Sequence, residues 1–314
     1  MNRDTGLQGI TVTTTDLVRL RQAAIGIRLG SRDHTQSARA GAGLTRFRGR
    51  GIDYAESRLY LPGDDVRTMD WRVTARTGRP HSKVFEEERD RNVLLIVELG
   101  RTMGFGTRRA YKSVVAIEAA ALIAWAAAMN GDRIGAVLTS AAGLTDVCPA
   151  PGRHGISRVL QALASAANTP PSAQRELTLA STLSHVRQIA RPGTMVILIS
   201  DFYSLDVEAE GHLKQLRNHD DILLLWIRDP IEVMPPPPGL YPISDGVAGT
   251  VLDLRSASMR EQFVHHIAER TQRLDKLCNQ LGAPRLDLDC GDNIASRLRT
   301  GLAARATAQR RAAS

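Results

Sequence analysis

From residue 92 onward the sequence alternates short, unbroken apolar runs with longer stretches of helical periodicity. The apolar runs, rich in β-branched residues, predict strands at 93–97, 134–138, 195–199, 222–227 and 250–254. Helices are predicted between and after them, at 109–129, 156–167, 177–190, 206–218 and 258–282. Strands that are apolar on both sides must be covered on both sides, which is typical of parallel sheets. The alternation therefore predicts an α/β fold with a doubly wound, mostly parallel sheet.

The residues before this region follow other patterns. A first helix is predicted after a cap at Thr14 or Thr15, and a connector rich in Gly, Ser and Arg follows it. Alternation around 54–60 and 69–73, with turn residues between, predicts a small antiparallel β unit ahead of the large sheet. The chain is accordingly divided into an N-terminal helix with a basic connector (1–51), the β unit (52–91), the α/β domain (92–290) and a C-terminal helix with a basic tail (291–314).

Charge and cysteine content narrow the class of protein. The net charge is +8, and the stretch between residues 28 and 50 contains six arginines but a single acidic residue, Asp33. Such a run can contact phosphates or an acidic partner. Three cysteines without C-x-x-C spacing argue against a disulfide framework and a zinc site. No signal-peptide pattern is present, and the apolar stretch 114–129 is interrupted by Glu118, so we expect a cytoplasmic protein without a membrane span.

Two predicted core strands end in an acid. Glu98 follows the strand at 93–97, and Asp201 follows the strand at 195–199. Ligands of open α/β sheets bind outside the carboxyl ends of the strands. The two carboxylates are therefore candidates to share a cation.

One block of the β unit carries a family signature. Residues 58–76 read RLYLPGDDVRTMDWRVTAR and closely resemble the bacterial domain-of-unknown-function family number 58, in which such a block precedes a von Willebrand factor A-like sheet. The matching residues are Arg58, Tyr60, Pro62, Gly63, Asp64, Asp65, Arg67, Asp70, Trp71, Ala75 and Arg76. We interpret the charged residues of the block as an ion-pair network with Trp71 buried beneath it. A buried Trp71 would cost roughly 3 to 5 kcal/mol when replaced by alanine.

The resemblance also implies partners. Members of this family accompany MoxR-type AAA+ ATPases and are thought to act as adaptors or co-chaperones for other proteins. This chain is thus expected to be a non-enzymatic adaptor for such an ATPase and a client protein, with Gly104, Arg108 and Arg109 as the candidate partner surface. Two alternatives stay open: a metal-dependent hydrolase using Glu98 and Asp201, and a basic nucleic-acid-binding module.

The resemblance bears on the two carboxylates as well. A metal-ion-dependent adhesion site uses Asp-x-Ser-x-Ser after the first strand, and a Thr and an Asp from later loops complete the oxygen ligands of Mg²⁺. Here Glu98 replaces the first Asp, Gly100 replaces the first Ser, and Thr102 keeps the second hydroxyl. Asp201 matches the distal Asp, whereas Leu177 stands where the Thr is expected. The site is interpreted as degenerate: no cofactor is expected, and any Mg²⁺ binding would be weak.

Overall fold

The computed structural model describes residues 6–30, 52–60, 69–87, 91–168, 177–244 and 249–313. The strands are β1 (Ile52–Leu59), β2 (His81–Glu87), β3 (Asn92–Glu98), β4 (Arg133–Ser140), β5 (Gly143–Ala150), β6 (Met195–Ser200), β7 (Asp221–Arg228), β8 (Leu240–Ser244), β9 (Gly249–Asp253) and β10 (Arg285–Asp289). The helices are α1 (Thr14–Arg19), α2 (Trp71–Thr77), α3 (Lys112–Met129), α4 (Gly152–Ala167), α5 (Leu179–Ile189), α6 (Val207–Arg217), α7 (Ala257–Leu281) and α8 (Ile294–Ala313). The chain forms two compact units, a smaller one within 32–90 and a larger one from the residues on either side of it.

The larger unit is built on a six-stranded sheet with the order β10-β7-β6-β3-β4-β5. All neighbouring strands pair in parallel except β5, which runs antiparallel to β4 at one edge. The chain leaves β3 toward β4 on one side and later passes from β6 to β7 on the other. This confirms the predicted doubly wound, mostly parallel sheet.

Successive side chains of the central strands enter two separate hydrophobic cores. Val93, Leu95 and Val97 of β3 pack with the buried residues of α3, α4 and α8. Leu94 and Ile96 pack with those of α5, α6 and α7 on the opposite face. Side chains of a strand alternate between faces, so strands apolar at every position are covered by helices on both sides.

Helices α1 and α8, which lie nearest the two termini, both pack on this unit. Thr13, rather than Thr14 or Thr15, caps α1, and its hydroxyl accepts a hydrogen bond from the backbone N–H of Asp16. Leu17 and Leu20 are buried in the same core as α3, and residues of α8 join that core from the other terminus. The N-terminal helix is therefore part of the α/β unit.

Some predicted elements were wrong or missed. The run at 250–254 is not a core strand, because β9 pairs antiparallel with β8 in a separate two-stranded sheet. Strands β5 and β10, at the two edges of the large sheet, were not predicted. Ser258 lies inside α7 and does not cap it, whereas Gly282 ends that helix in the left-handed conformation as expected.

The smaller unit contains the predicted antiparallel pair, formed by β1 and β2. Its second strand is not at 69–73: Met69 makes an isolated bridge to Ser82, and Asp70 caps α2 by accepting hydrogen bonds from two backbone N–H groups. Trp71 is 66% exposed at the start of α2, so the buried interpretation of this residue was wrong. The signature positions between 61 and 68 lie outside the described residues.

Replacing Trp71 with alanine is expected to change the free energy of unfolding by less than about 1 kcal/mol, because an exposed side chain loses little packing when it is truncated. Urea denaturation of the full chain would measure the change. Leu122→Ala, at a fully buried position of α3, provides the comparison and should lower the free energy of unfolding by about 2 to 5 kcal/mol. If both variants lost a similar free energy of unfolding, Trp71 would have to be buried after all.

Helix α3 runs through the centre of the larger unit. Among the described helices it is the one that is long and apolar enough to cross a membrane, and 78% of its residues are buried inside the protein. A helix covered on all sides by protein is apolar all round, which is why α3 has no polar face.

Candidate functional site

The candidate site lies at the carboxyl ends of β3 and β6, which are neighbours at the middle of the sheet. The connections after these two strands diverge to opposite sides of the sheet, and such a switch point leaves a crevice at the strand ends. Glu98 is the last residue of β3, and Asp201 directly follows β6. The sequence-based prediction thus placed both carboxylates on the correct edge of the sheet.

Glu98 is held by hydroxyl groups. Its carboxylate is buried and accepts hydrogen bonds from the side chains of Ser200 and Ser204, one on each oxygen. The Ser200 hydroxyl in turn accepts a hydrogen bond from the backbone N–H of Phe202. These contacts stabilise the turn after β6 by way of Glu98.

Asp201 has a different partner, the ammonium of Lys112. Lys112 is the first residue of α3 and its side chain is only 1% exposed. Its Nζ lies 2.8 Å from Oδ2 of Asp201 and 2.8 Å from Oε1 of Glu232, which ends the short 3-10 helix Pro230–Glu232. Neither Lys112 nor Glu232 was singled out in the sequence, although both complete this site.

Aromatic rings enclose the ammonium. Nζ of Lys112 lies 5.0 Å from the ring centre of Tyr203 and 5.9 Å from that of Phe105, distances at which a cation is attracted to the face of a ring. The guanidinium of Arg270 lies 3.3 Å from the ring centre of Tyr203 and donates a hydrogen bond to the backbone carbonyl of Asp201. Tyr203 thus lies close to two cations.

The protonation of these groups follows from burial and charge. Burial disfavours the ammonium of Lys112, but Asp201 and Glu232 together outweigh that effect, so the pKa of Lys112 is raised. Lys112 is therefore charged at neutral pH. Burial raises the pKa of Tyr203 and raises that of the Cys290 thiol to about 12, so both stay protonated.

The residues present do not fit the divalent cation of a metal-ion-dependent adhesion site. Oδ2 of Asp201 is bound to Lys112, and its Oδ1 accepts a hydrogen bond from the backbone N–H of Tyr203. Thr102 is exposed, and within the described residues its hydroxyl makes no hydrogen bond to either carboxylate. The described ranges also contain no group of three His, Cys, Asp or Glu residues that could hold a metal ion.

The loop between β3 and α3 is held by contacts on its buried side. Asp229, fully buried, accepts hydrogen bonds from the backbone N–H and the hydroxyl of Thr107. Met103 is buried, and the backbone N–H of Lys112 donates to the carbonyl of Phe105. The upper side of the loop is exposed at Gly104 and Arg108, and a side chain added at Gly104 would meet open space.

Arg109 does not belong to the exposed surface predicted for it. Its side chain is 10% exposed, with Nη1 2.9 Å from Oε2 of Glu118 and bonded to the carbonyl of Leu7. Glu118 lies inside the apolar helix α3, where an unpaired carboxylate would be costly. The guanidinium therefore points inward, and the candidate surface is reduced to Gly104 and Arg108.

Comparisons with known proteins support a family assignment. The sequence pattern of the family described as "Protein of unknown function DUF58" matches residues 56–273. "Uncharacterized protein Rv1480" from Mycobacterium tuberculosis is 31% identical over 241 residues, which make up 76% of this chain and 75% of that protein.

Solved structures give more distant likenesses. BatB, a conserved hypothetical protein from Bacteroides thetaiotaomicron, is 10% identical with a TM-score of 0.43, over 69% of this chain and 99% of that one. The von Willebrand factor type A protein from Catenulispora acidiphila is 11% identical with a TM-score of 0.39, over 71% of this chain and 43% of that one. At these scores the description of the fold depends on the sheet order of this chain itself.

Proposed function

The chain belongs to the family described as Protein of unknown function DUF58, and from this premise we propose that it is a non-enzymatic, cytoplasmic adaptor that brings a MoxR-type AAA+ ATPase to a client protein. The observation that carries the proposal is the loop after β3, which is anchored from below by Asp229 and exposed above. A loop held in one conformation loses little entropy when a partner binds. It is therefore suited to recognition.

The chemistry of the strand ends favours binding over catalysis. A general base must be able to accept a proton, and a metal ligand must be able to reach the metal. Asp201 is instead paired with Lys112, and both oxygens of Glu98 are bound to serine hydroxyls. A metal-dependent hydrolase that used Glu98 and Asp201 as ligands would first have to break these contacts.

The burial of Arg305 near the C-terminus weighs against the nucleic-acid alternative. Arg305 is buried and paired with Asp221, and Arg299 donates hydrogen bonds to the backbone carbonyls of Ala23 and Ile25. A buried guanidinium paired with a carboxylate, such as that of Arg305, is not available to phosphates. Most of the basic stretch between residues 28 and 50 lies outside the described residues.

The proposed contact surface combines residue types common at protein interfaces. Arg108 is exposed, and Tyr203 is 42% exposed near the same edge of the sheet. Arginine and tyrosine are enriched among the residues that dominate binding energy. An arginine at this edge suits an acidic patch on the ATPase.

Charge reversal at Arg108, or a bulky residue at Gly104, is expected to weaken binding to the ATPase. Arg108→Glu and Gly104→Trp should each raise the Kd for the purified MoxR-type ATPase of the same cell by about tenfold or more, measured by calorimetry. Both positions are exposed, so the circular dichroism spectrum should not change.

Arg153→Glu is the matched control, because Arg153 is an exposed arginine at the start of α4, beyond the other end of the sheet. It should leave the Kd unchanged. Unchanged binding by the folded Arg108 and Gly104 variants would exclude this surface. A wild-type protein that does not bind the ATPase would overturn the adaptor proposal as a whole.

A further inference from the structure

We propose that the ammonium of Lys112 is the resident cation at the carboxyl ends of the central strands, in the site formed with Asp201 and Glu232. It takes the place of a divalent metal there. The ammonium lies between carboxylates that come from two different loops, 2.8 Å from Asp201 and 2.8 Å from Glu232. Two carboxylates that converge on one cation, at the carboxyl ends of β6 and β7, are part of the ligand set that an oxygen-ligated metal uses. Here the cation is covalently attached to the chain.

The position of Lys112 in its helix shows that this contact is specific. The N-terminus of a helix carries partial positive charge, so a lysine at the first position of the 18-residue helix α3 is disfavoured by the helix dipole. Burial disfavours its charge further. The two carboxylates offset both effects while the side chain of Lys112 stays 1% exposed.

The ammonium also links elements that are far apart in the sequence. It joins the start of α3 to the loop after β6 through Asp201 and to the 3-10 helix after β7 through Glu232. The rings of Phe105 and Tyr203 lie close to it as well. A divalent cation could bind the same two carboxylates only by displacing the ammonium.

Removing the lysine should therefore convert the site into one that binds metal. The experiment titrates Mn²⁺ alone, in the presence and absence of EDTA, into the full-length wild type, Lys112→Ala and the exposed control Lys214→Ala, and follows both calorimetric heat and Tm. Wild type and Lys214→Ala should show no Mn²⁺-dependent heat or change in Tm. Lys112→Ala should have a lower Tm that Mn²⁺ raises, because metal binding to the folded state stabilises it.

The double variant Lys112→Ala with Asp201→Asn should lose the Mn²⁺ response, which assigns the metal to this site. Mn²⁺ raising the Tm of wild type as much as that of Lys112→Ala would overturn the proposal, as would a folded Lys112→Ala that ignores Mn²⁺. If Lys112→Ala fails to fold in EDTA, refolding it in the presence of Mn²⁺ tests the proposal instead. Recovery of soluble, helical protein supports a resident cation, and failure in both buffers opposes it.

Discussion

Replacing Lys112 with methionine is expected to lower the free energy of unfolding by about 3 to 5 kcal/mol. Methionine has a length similar to that of lysine, so the main loss is the positive charge that contacts both Asp201 and Glu232. Removing one partner of a buried ion pair leaves the others desolvated and uncompensated, and this costs more than the intact pair contributes. Urea denaturation at neutral pH would measure the difference.

A neutral version of the site provides the control. Combining Lys112→Met with Asp201→Asn and Glu232→Gln should recover much of the lost stability, because no uncompensated charge is then buried. A single Lys112→Met variant that loses less than about 1 kcal/mol would mean that the two carboxylates are stabilised by other groups.

The ionisation of Lys112 itself should change its contribution to stability at the alkaline end of the pH range. Because the pKa of Lys112 is higher in the folded protein than in the unfolded chain, its stabilisation is fully present below the unfolded value of 10.5. It is lost as the pH rises through the folded value. Wild type and the single Lys112→Met variant should therefore converge in stability under strongly alkaline conditions, because a deprotonated Lys112 leaves Asp201 and Glu232 as uncompensated as methionine does.

The core of the fold was predictable because its strands are buried on both faces. In β3 and β6 every position is apolar or nearly so, and the pattern identifies such strands without knowledge of their partners. The edge strands β5 and β10 contain polar residues, as in the RLDLD of β10, and all of their side chains except those of Val147 and Leu288 are exposed or half-exposed. Their assignment depends on the neighbouring strand, which the local sequence does not reveal.

The candidate site was predictable in position but not in composition. Glu98 and Asp201 follow apolar strands, so their edge of the sheet could be deduced. Lys112 could not be assigned to the site, because a lysine beside an apolar helix is typical of a solvated end. Its partner Glu232 is 120 residues further along the chain, in a short 3-10 helix. An available signal was the unfavourable place of a lysine at a helix N-terminus.

Trp71 and Arg109 illustrate errors in opposite directions. Trp71 was expected to be buried beneath an ion-pair network of the signature block, yet it begins an exposed helix. Arg109 was expected on the candidate partner surface beside Arg108, yet it is buried against a carboxylate nine residues away. Neighbouring arginines can differ in this way because burial is decided by the elements that pack on each one.

Arg109→Met is accordingly expected to lower the free energy of unfolding by about 3 to 5 kcal/mol, whereas Arg108→Met should change it by no more than about 0.5 kcal/mol. The Arg109 guanidinium is a partner of the buried Glu118 and also donates to the carbonyl of Leu7, whose own N–H is bonded to Glu118. Its removal therefore weakens both the core helix and the attachment of the N-terminal segment.

The two arginine variants differ by one position and carry the same substitution, so the comparison isolates the buried contact. Urea denaturation followed by circular dichroism gives both stabilities, and limited proteolysis tests the N-terminal segment. Arg109→Met should be cleaved near Leu7 sooner than Arg108→Met, since the hydrogen bond from Arg109 to Leu7 is gone. Equal stability of the two variants would mean that other contacts stabilise the carboxylate of Glu118. The contact between Arg109 and Glu118 would then contribute nothing to the free energy of unfolding.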